Sequence, residues 1–257
     1  MAFLAHLPYG LLPWQLVALM SGSICIGMSK TGINGISTIA IPLFVLVFEG
    51  KPSTGVILPL LCFADLFAVI YYRRHAEWKY IVRLLPWALA GFAAALFADR
   101  FVPAKGFKML IGGCILAGLG IMFWNDRRGK GAAAPTGWLR TKGSTALFGI
   151  LGGFSTMIGN AAGPVMSVFL LSVRLPKASF VGTAAWFFLI VNYLKVPLQY
   201  FAWHNISVES LLFDAYMAPF VLGGVVLGIL LVKKISESAF RVMIYALTLV
   251  STVLLFV

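Results

Sequence analysis

Residues 27–35 read GMSKTGING, and residues 152–164 read GGFSTMIGNAAGP. Both stretches are rich in glycine and both lie inside otherwise apolar sequence. Glycine relieves the steric limits on backbone angles, so these stretches allow one helix to stop and another to begin. Each stretch therefore predicts a broken helix, in which two short apolar segments form a hairpin.

The composition predicts that this chain lies in a membrane. Of its 257 residues, 61% are hydrophobic and 11% are charged, whereas ordinary globular chains have about 25% charged residues. Several apolar segments approach the roughly 20 residues that a helix needs to cross the hydrocarbon core. The predicted fold class is an all-α polytopic membrane protein.

The apolar segments form an internal repeat. Three pairs of matching residues share one separation of 127 positions: Gly32 with Gly159, Gly55 with Gly182, and Asp65 with Asn192. Farther along the chain, Phe107 matches Phe240 at a separation of 133, which indicates a short insertion. The sequence thus predicts a first membrane repeat at 1–124, a basic cytoplasmic linker at 125–143 and a second membrane repeat at 144–257. Each repeat is expected to hold a broken-helix hairpin followed by three transmembrane helices.

The loop charges predict that the two repeats are inverted. Lysine and arginine accumulate in short loops on the cytoplasmic side of a membrane. The linker contains five of them, and placing it inside also puts Arg73, Arg74, Lys233 and Lys234 inside. The first repeat then begins outside and the second begins inside. A re-entrant hairpin and a hairpin that crosses the membrane twice both return the chain to the side where it entered, so both forms of hairpin remain open.

The two glycine-rich stretches also provide candidate ligands for an anion. A helix N-terminus has unpaired N–H groups and about half a positive charge, and two inverted hairpins could direct two such ends at one point. The candidate substrate-binding residues are Ser29, Lys30, Thr31, Gly32, Asn34, Thr156, Gly159 and Asn160. The alternative is that glycine allows close helix packing while serine and threonine satisfy backbone groups. A lysine at an interrupted apolar segment favours the binding role.

Ionisable residues at membrane depth cost about 2.5 to 3.5 kcal/mol on insertion scales, so each one requires a reason. Asp65 and Lys195 lie within apolar segments that correspond to each other in the two repeats, and Asn192 occupies the position that matches Asp65. These three residues are candidates for coupling transport to protons or for an ion pair. The alternatives are a purely structural pair with Lys30 or Lys195, and a Lys195 side chain that extends to the interface.

The sequence argues against other classes of protein. The net charge of +12 is spread over short loops, which indicates membrane topology, and no nucleic-acid partner is expected. The three histidines and eight acidic residues follow no catalytic or metal-binding pattern, and no GxxxxGK[ST] loop is present. We therefore expect no enzymatic activity, no cofactor and no metal. Secondary transport is favoured.

The chain resembles the TauE/SafE sulfite exporter family, also called the toluene-sulfonate uptake permease family. The similarity lies in GMSKTGINGISTIAIPLF, PLLCFADLFAVIYYRRHAEW, GGFSTMIGNAAGPVMSVFLL and WFFLIVNYLKVP, which cover both repeats. The resemblance implies a permease of sulfite, thiosulfate or organosulfonates in a bacterial inner membrane. An anion channel and a transporter of a non-sulfur organic anion remain as alternatives. The expected partners are membrane lipid and a small anionic substrate, and a homodimer is left open.

Overall fold

The computed structural model describes residues 8–33, 36–48, 50–98, 116 and 141–253. Within these ranges the chain forms nine α-helices, and a short 3₁₀ helix, Pro8–Gly10, precedes the first of them. The helices are α1 Pro13–Thr31, α2 Ser37–Phe48, α3 Gly50–Tyr72, α4 Trp78–Ala98, α5 Lys142–Gly159, α6 Ala162–Ser172, α7 Lys177–Pro197, α8 Val208–Lys234 and α9 Glu237–Val253. Three predicted features lie outside the described residues: Asn34, most of the basic linker, and nearly all of the stretch at 107–124 where the last helix of the first repeat is predicted.

The all-α prediction is confirmed, since the described residues contain no strand. Four of their helical segments are long and apolar enough to cross a membrane: Pro52–Tyr72, Trp78–Ala98, Lys177–Ala202 and Val208–Lys234. Large apolar side chains such as Phe97 and Val226 are exposed on the outer faces of helices, as expected where lipid is the solvent. The protein is a multi-pass membrane protein.

Two helices, α2 and α6, are too short to span a bilayer. They contain 12 and 11 residues, which corresponds to about 18 and 17 Å of helix against a hydrocarbon core of about 30 Å. Each short helix follows a longer one directly, α2 after α1 and α6 after α5. This order agrees with the prediction of one broken-helix pair in each half of the chain.

The helices extend farther into the glycine-rich stretches than the sequence predicts. The first helix continues to Thr31, and the fifth helix continues to Gly159. Lys30 and Thr156 consequently lie in the last helical turns and not in a break between helices. The second break is short, because α6 begins only three positions after the end of α5.

Close helix packing explains why these glycines remain helical. Helix α1 lies along α8, where a Cβ atom on Gly27 would come within 2.1 Å of the Val221 carbonyl oxygen. Helix α5 lies along α4 in the same manner, and a Cβ atom on Gly153 would come within 2.1 Å of the Ala88 carbonyl oxygen. Small residues let two backbones approach to this distance, which is a common basis of helix association in membranes.

The third central contact is between α3 and α7, which pack against each other near their middles. Helix α7 loses its regular hydrogen bonding at Pro197, which lacks an N–H group, and continues as a short π-helix at Leu198–Ala202. The ends of α1 and α5 reach this α3–α7 contact, so the two broken helix pairs meet the two long helices in one buried region.

Candidate substrate site

A small cavity lies where the broken helix pairs meet α3 and α7. Its walls come from both halves of the chain and from six helices. The lining residues are Ser29, Lys30, Ser37, Leu61, Thr156, Asn160, Gly163, Phe188 and Asn192. The space between them has room for little more than one water-sized molecule. The site is therefore closed around its centre.

Lys30, Asp65 and Asn192 form the first polar cluster at this cavity. The Lys30 ammonium lies 2.9 Å from Asp65 Oδ1 and donates a hydrogen bond of 3.1 Å to Oδ2. Asn192 Nδ2 donates to the same Oδ2 over 2.6 Å. Asp65 is 0% exposed and Lys30 is 6% exposed. The ammonium also lies 4.3 Å from the centre of the Phe188 ring, so an aromatic face supports its charge.

Lys195 forms the second polar cluster with the end of α5. Its ammonium donates 3.0 Å and 3.2 Å hydrogen bonds to the Thr156 carbonyl and hydroxyl oxygens, and it also donates to Asn160 Oδ1. Lys195 is 0% exposed, so its side chain does not extend to an interface as one sequence-based alternative proposed. Among the described residues no carboxylate forms an ion pair with it. All three of its acceptors are neutral oxygens.

The end of α5 positions Asn160 between the cavity and α3. Asn160 adopts the left-handed conformation (φ 54°), and the N–H groups of Asn160 and Ala161 bond back to the Thr156 and Ser155 carbonyls. The Asn160–Thr156 bond together with the left-handed Asn160 is the αL type of helix end, where asparagine is accepted in place of glycine. The side chain is then directed inward, where Nδ2 donates to the Thr54 carbonyl over 3.2 Å.

Four of the predicted substrate-binding residues line the cavity: Ser29, Lys30, Thr156 and Asn160. Thr31 and Gly32 do not line the cavity. The Thr31 hydroxyl donates to the Gly27 and Val225 carbonyls, and a Cβ atom on Gly32 would come within 1.9 Å of the Val232 side chain. Both residues therefore face α8. Gly159 is described but is not among the lining residues.

Four lining residues are missing from the sequence-based set: Ser37, Leu61, Gly163 and Phe188. Ser37 is the first residue of α2 and Gly163 is the second residue of α6, so the N-terminal ends of both short helices reach the cavity. The expectation of two converging helix ends could have identified them, because these are the first residues after each break. Leu61 and Phe188 carry no comparable signal, since each is one apolar residue among many.

The charges at the cavity do not balance. Lys30 and Lys195 contribute two cations when protonated, and Asp65 is the one carboxylate among the described residues that pairs with either of them. The N-terminal ends of α2 and α6 add the partial positive charge of their free N–H groups. An arrangement with an excess of positive charge and several hydroxyl and amide groups is suited to binding a small anion.

Comparison with known proteins identifies the family of the chain. No curated protein and no solved structure matches it. Residues 19–255 match the family described as Sulfite exporter TauE/SafE, and this range includes both polar clusters and every residue that lines the cavity. Because the match extends over nearly the entire sequence, the chain belongs to the TauE/SafE sulfite exporter family.

Proposed function

We propose that this protein is a secondary transporter that carries small sulfur-containing anions, such as sulfite, thiosulfate or organosulfonates, across a bacterial inner membrane. The observation that carries the proposal is a small cavity between two broken helix pairs that has two buried lysines, Lys30 and Lys195, and one carboxylate, Asp65, beside it. Membership of the sulfite exporter family supports sulfur anions over other anions.

Lys195 does not line the cavity itself, but it contacts Thr156 and Asn160, which do, and it is the residue best suited to hold the anion. The charge of Lys30 is already compensated by Asp65 at 2.9 Å, whereas the acceptors of Lys195 are neutral. An anionic oxygen is a stronger acceptor than a hydroxyl or an amide oxygen. We infer that the substrate replaces part of the Thr156 and Asn160 contacts at Lys195. Ser29 and the released Thr156 hydroxyl then become available as donors, and Lys30 contributes at longer range.

The inverted repeat is supported by equivalent residues of the two halves that make equivalent contacts. Asp65 and Asn192 are 127 positions apart and bond directly to each other, as equivalent residues do where they meet at a twofold axis. Gly91 and Gly224 are 133 positions apart, the separation found for Phe107 and Phe240. Each packs against a carbonyl of the broken helix beside it, Ile150 for Gly91 and Ile24 for Gly224.

A second pair of equivalent contacts supports alternating access. A Cβ atom on Gly55, near the start of α3, would come within 2.0 Å of the Asn205 carbonyl oxygen in the loop after α7. A Cβ atom on Gly182, near the start of α7, would come within 3.1 Å of His75 in the loop after α3. We propose that these are two opposing closures, one on each side of the cavity, and that transport opens them in turn.

The inverted arrangement predicts opposite sidedness for two exposed histidines, His75 after α3 and His204 after α7. Each is replaced by cysteine, one at a time, in a chain whose native cysteines are alanine. We expect a membrane-impermeant maleimide to label position 204 in intact cells and position 75 only after lysis. Lysed cells give the control for accessibility at both positions. Labelling of both positions before lysis would contradict the inversion.

Asp65 is the candidate for proton coupling. It is the carboxylate of the site, and its equivalent in the second half is an amide, Asn192, which cannot carry a proton through a cycle. In the closed state Asp65 is held by Lys30, so coupling requires this ion pair to break in another state. A pair that persists in every state would have a structural role alone.

We expect Asp65→Asn to abolish uptake driven by a proton gradient in proteoliposomes while substrate counterflow continues. The exchanged variant Asp65→Asn/Asn192→Asp is the matched test, because it moves the carboxylate across a hydrogen bond of 2.6 Å to the equivalent position. Restored proton-driven uptake in this variant would support one carboxylate near the axis as the coupling group. Loss or survival of both activities together, in Asp65→Asn protein whose melting temperature shows that it is folded, would contradict coupling.

The function itself is tested with purified protein in proteoliposomes loaded with sulfite. We expect saturable exchange that thiosulfate and organosulfonates inhibit and that carboxylates inhibit less. A transporter gives counterflow, in which internal substrate accelerates entry of labelled external substrate. A channel gives no such acceleration, so its absence would favour the channel alternative. A preference for carboxylates would instead indicate a non-sulfur organic anion.

A further inference from the structure

We propose that a groove between α3 and α8 binds an anionic phospholipid with its phosphate at Arg73 and Arg74. This groove, here called the basic groove, runs along the outer surface and has a volume of about 670 Å³. It lies away from the cavity described above and shares no lining residue with it. The lipid site is additional to the proposed transport function.

The walls of the basic groove suit an acyl chain. Phe67 and Ile70 line it from α3, and Val226 and Ile229 line it from α8. Ile70 is 57% exposed and Val226 is 54% exposed, so these walls face the lipid phase and are not filled by the protein's own side chains. The α8 wall extends from Leu222 to Ile229, a length of about 10 Å along the helix. An acyl chain segment of similar length can lie against it.

One end of the basic groove is strongly cationic. Arg73, Arg74 and His75 line it where α3 finishes, and all three are exposed. Lys233 approaches the same end from α8, with its ammonium 5.3 Å from the centre of the Tyr71 ring. Glu77, the nearest acid in sequence, pairs with Lys79 at 3.4 Å. Guanidinium groups match phosphate oxygens in a bidentate manner, and basic pockets between transmembrane helices bind anionic head groups.

A second groove provides an internal comparison. This neutral groove lies between α3, α7 and the start of α8, has a volume of about 640 Å³, and has no charged lining residue. Pro59, Tyr193 and Leu211 are among the residues that line it. The two grooves have similar sizes and mainly apolar walls, so either can take an acyl chain. Only the basic groove adds cations beside such a wall, and this combination selects an anionic phospholipid over a neutral one.

The proposal is tested by native mass spectrometry of the purified protein, titrated with phosphatidylglycerol or phosphatidylcholine. We expect a phosphatidylglycerol site at which Arg73→Gln/Arg74→Gln weakens binding about tenfold or more, since each basic residue near the head group contributes to affinity. The control Arg83→Gln/Lys142→Gln removes the same charge from exposed positions that do not line the groove and leaves the Lys79–Glu77 pair in place. It should bind phosphatidylglycerol like the unmodified protein.

The apolar wall is tested by filling each groove with tryptophan. Val226→Trp should weaken phosphatidylglycerol binding, and Leu211→Trp, in the neutral groove, should leave it unchanged. Unaltered melting temperatures will show that each variant is folded. Equal phosphatidylglycerol affinity in Arg73→Gln/Arg74→Gln and in its charge control would overturn the proposal. Displacement of the lipid by inorganic phosphate, or dissociation of a dimer by Val226→Trp without loss of lipid, would also overturn it.

Discussion

Replacement of Lys30 by methionine is expected to lower the free energy of unfolding by about 3–5 kcal/mol, because it leaves the Asp65 carboxylate buried without its partner. Asp65 is 0% exposed, and its remaining donor in the described structure is Asn192. Removal of one member of a buried pair is far more damaging than removal of both. Equilibrium unfolding in mixed micelles measures the change.

Two further variants make this prediction specific. Lys30→Met/Asp65→Asn removes both charges and should recover at least half of the loss. Lys79→Met breaks the Lys79–Glu77 pair, whose side chains are 60% and 39% exposed, and should cost less than about 1 kcal/mol because water screens surface pairs. If Lys30→Met is as mild as Lys79→Met, the buried pair contributes little to stability and the prediction is wrong.

The main elements of the fold could be predicted from the sequence, because membranes impose strong rules. Long apolar segments must be helical in lipid, and glycine-rich stretches mark where helices end. The extent of the breaks could not be predicted in the same way. Glycine has a low helix propensity, so Gly27 favours an end of α1 at that point. Close packing against the Val221 backbone nevertheless keeps Gly27 in the helix. That contact joins residues 194 positions apart, and no local pattern reports it.

Helical geometry explains which substrate-site predictions differ from the structure. Successive residues on a helix point about 100° apart, so Ser29, Lys30 and Thr31 cannot all face the cavity once α1 continues through them, and Thr31 is the one turned away. Lys30 faces Asp65, and Thr31 bonds to the Val225 carbonyl of α8.

The partners of Lys195 illustrate a different limit of the sequence. A carboxylate partner was one alternative, because Asp65 lies at a similar depth in the equivalent helix. The structure instead pairs Asp65 with Lys30 and gives Lys195 the oxygens of Thr156 and Asn160. The angle at which α3 and α7 cross decides between these pairings. Neither residue spacing nor composition predicts a crossing angle. The outcome matters because it leaves the charge of Lys195 available for a ligand.

Lys195→Met is accordingly expected to weaken sulfite binding by about 10- to 100-fold, the range for loss of a hydrogen bond to a charged group. Isothermal titration of the purified protein with sulfite measures the change. Stability should fall much less than in Lys30→Met, since two effects oppose each other. Removing a buried charge that has no carboxylate partner is favourable, while the Thr156 and Asn160 oxygens lose their donor.

The comparison of the two lysines separates a binding role from a structural one. Both are buried cations of one site, and methionine removes the charge from each while keeping most of its apolar volume. If Lys30 serves mainly to hold Asp65 and Lys195 serves the anion, Lys30→Met/Asp65→Asn should retain more sulfite affinity than Lys195→Met does. Lys79→Met, which removes a surface charge, should bind sulfite like the unmodified protein. A well-folded Lys195→Met protein with unchanged sulfite affinity would contradict the assignment of the anion to Lys195.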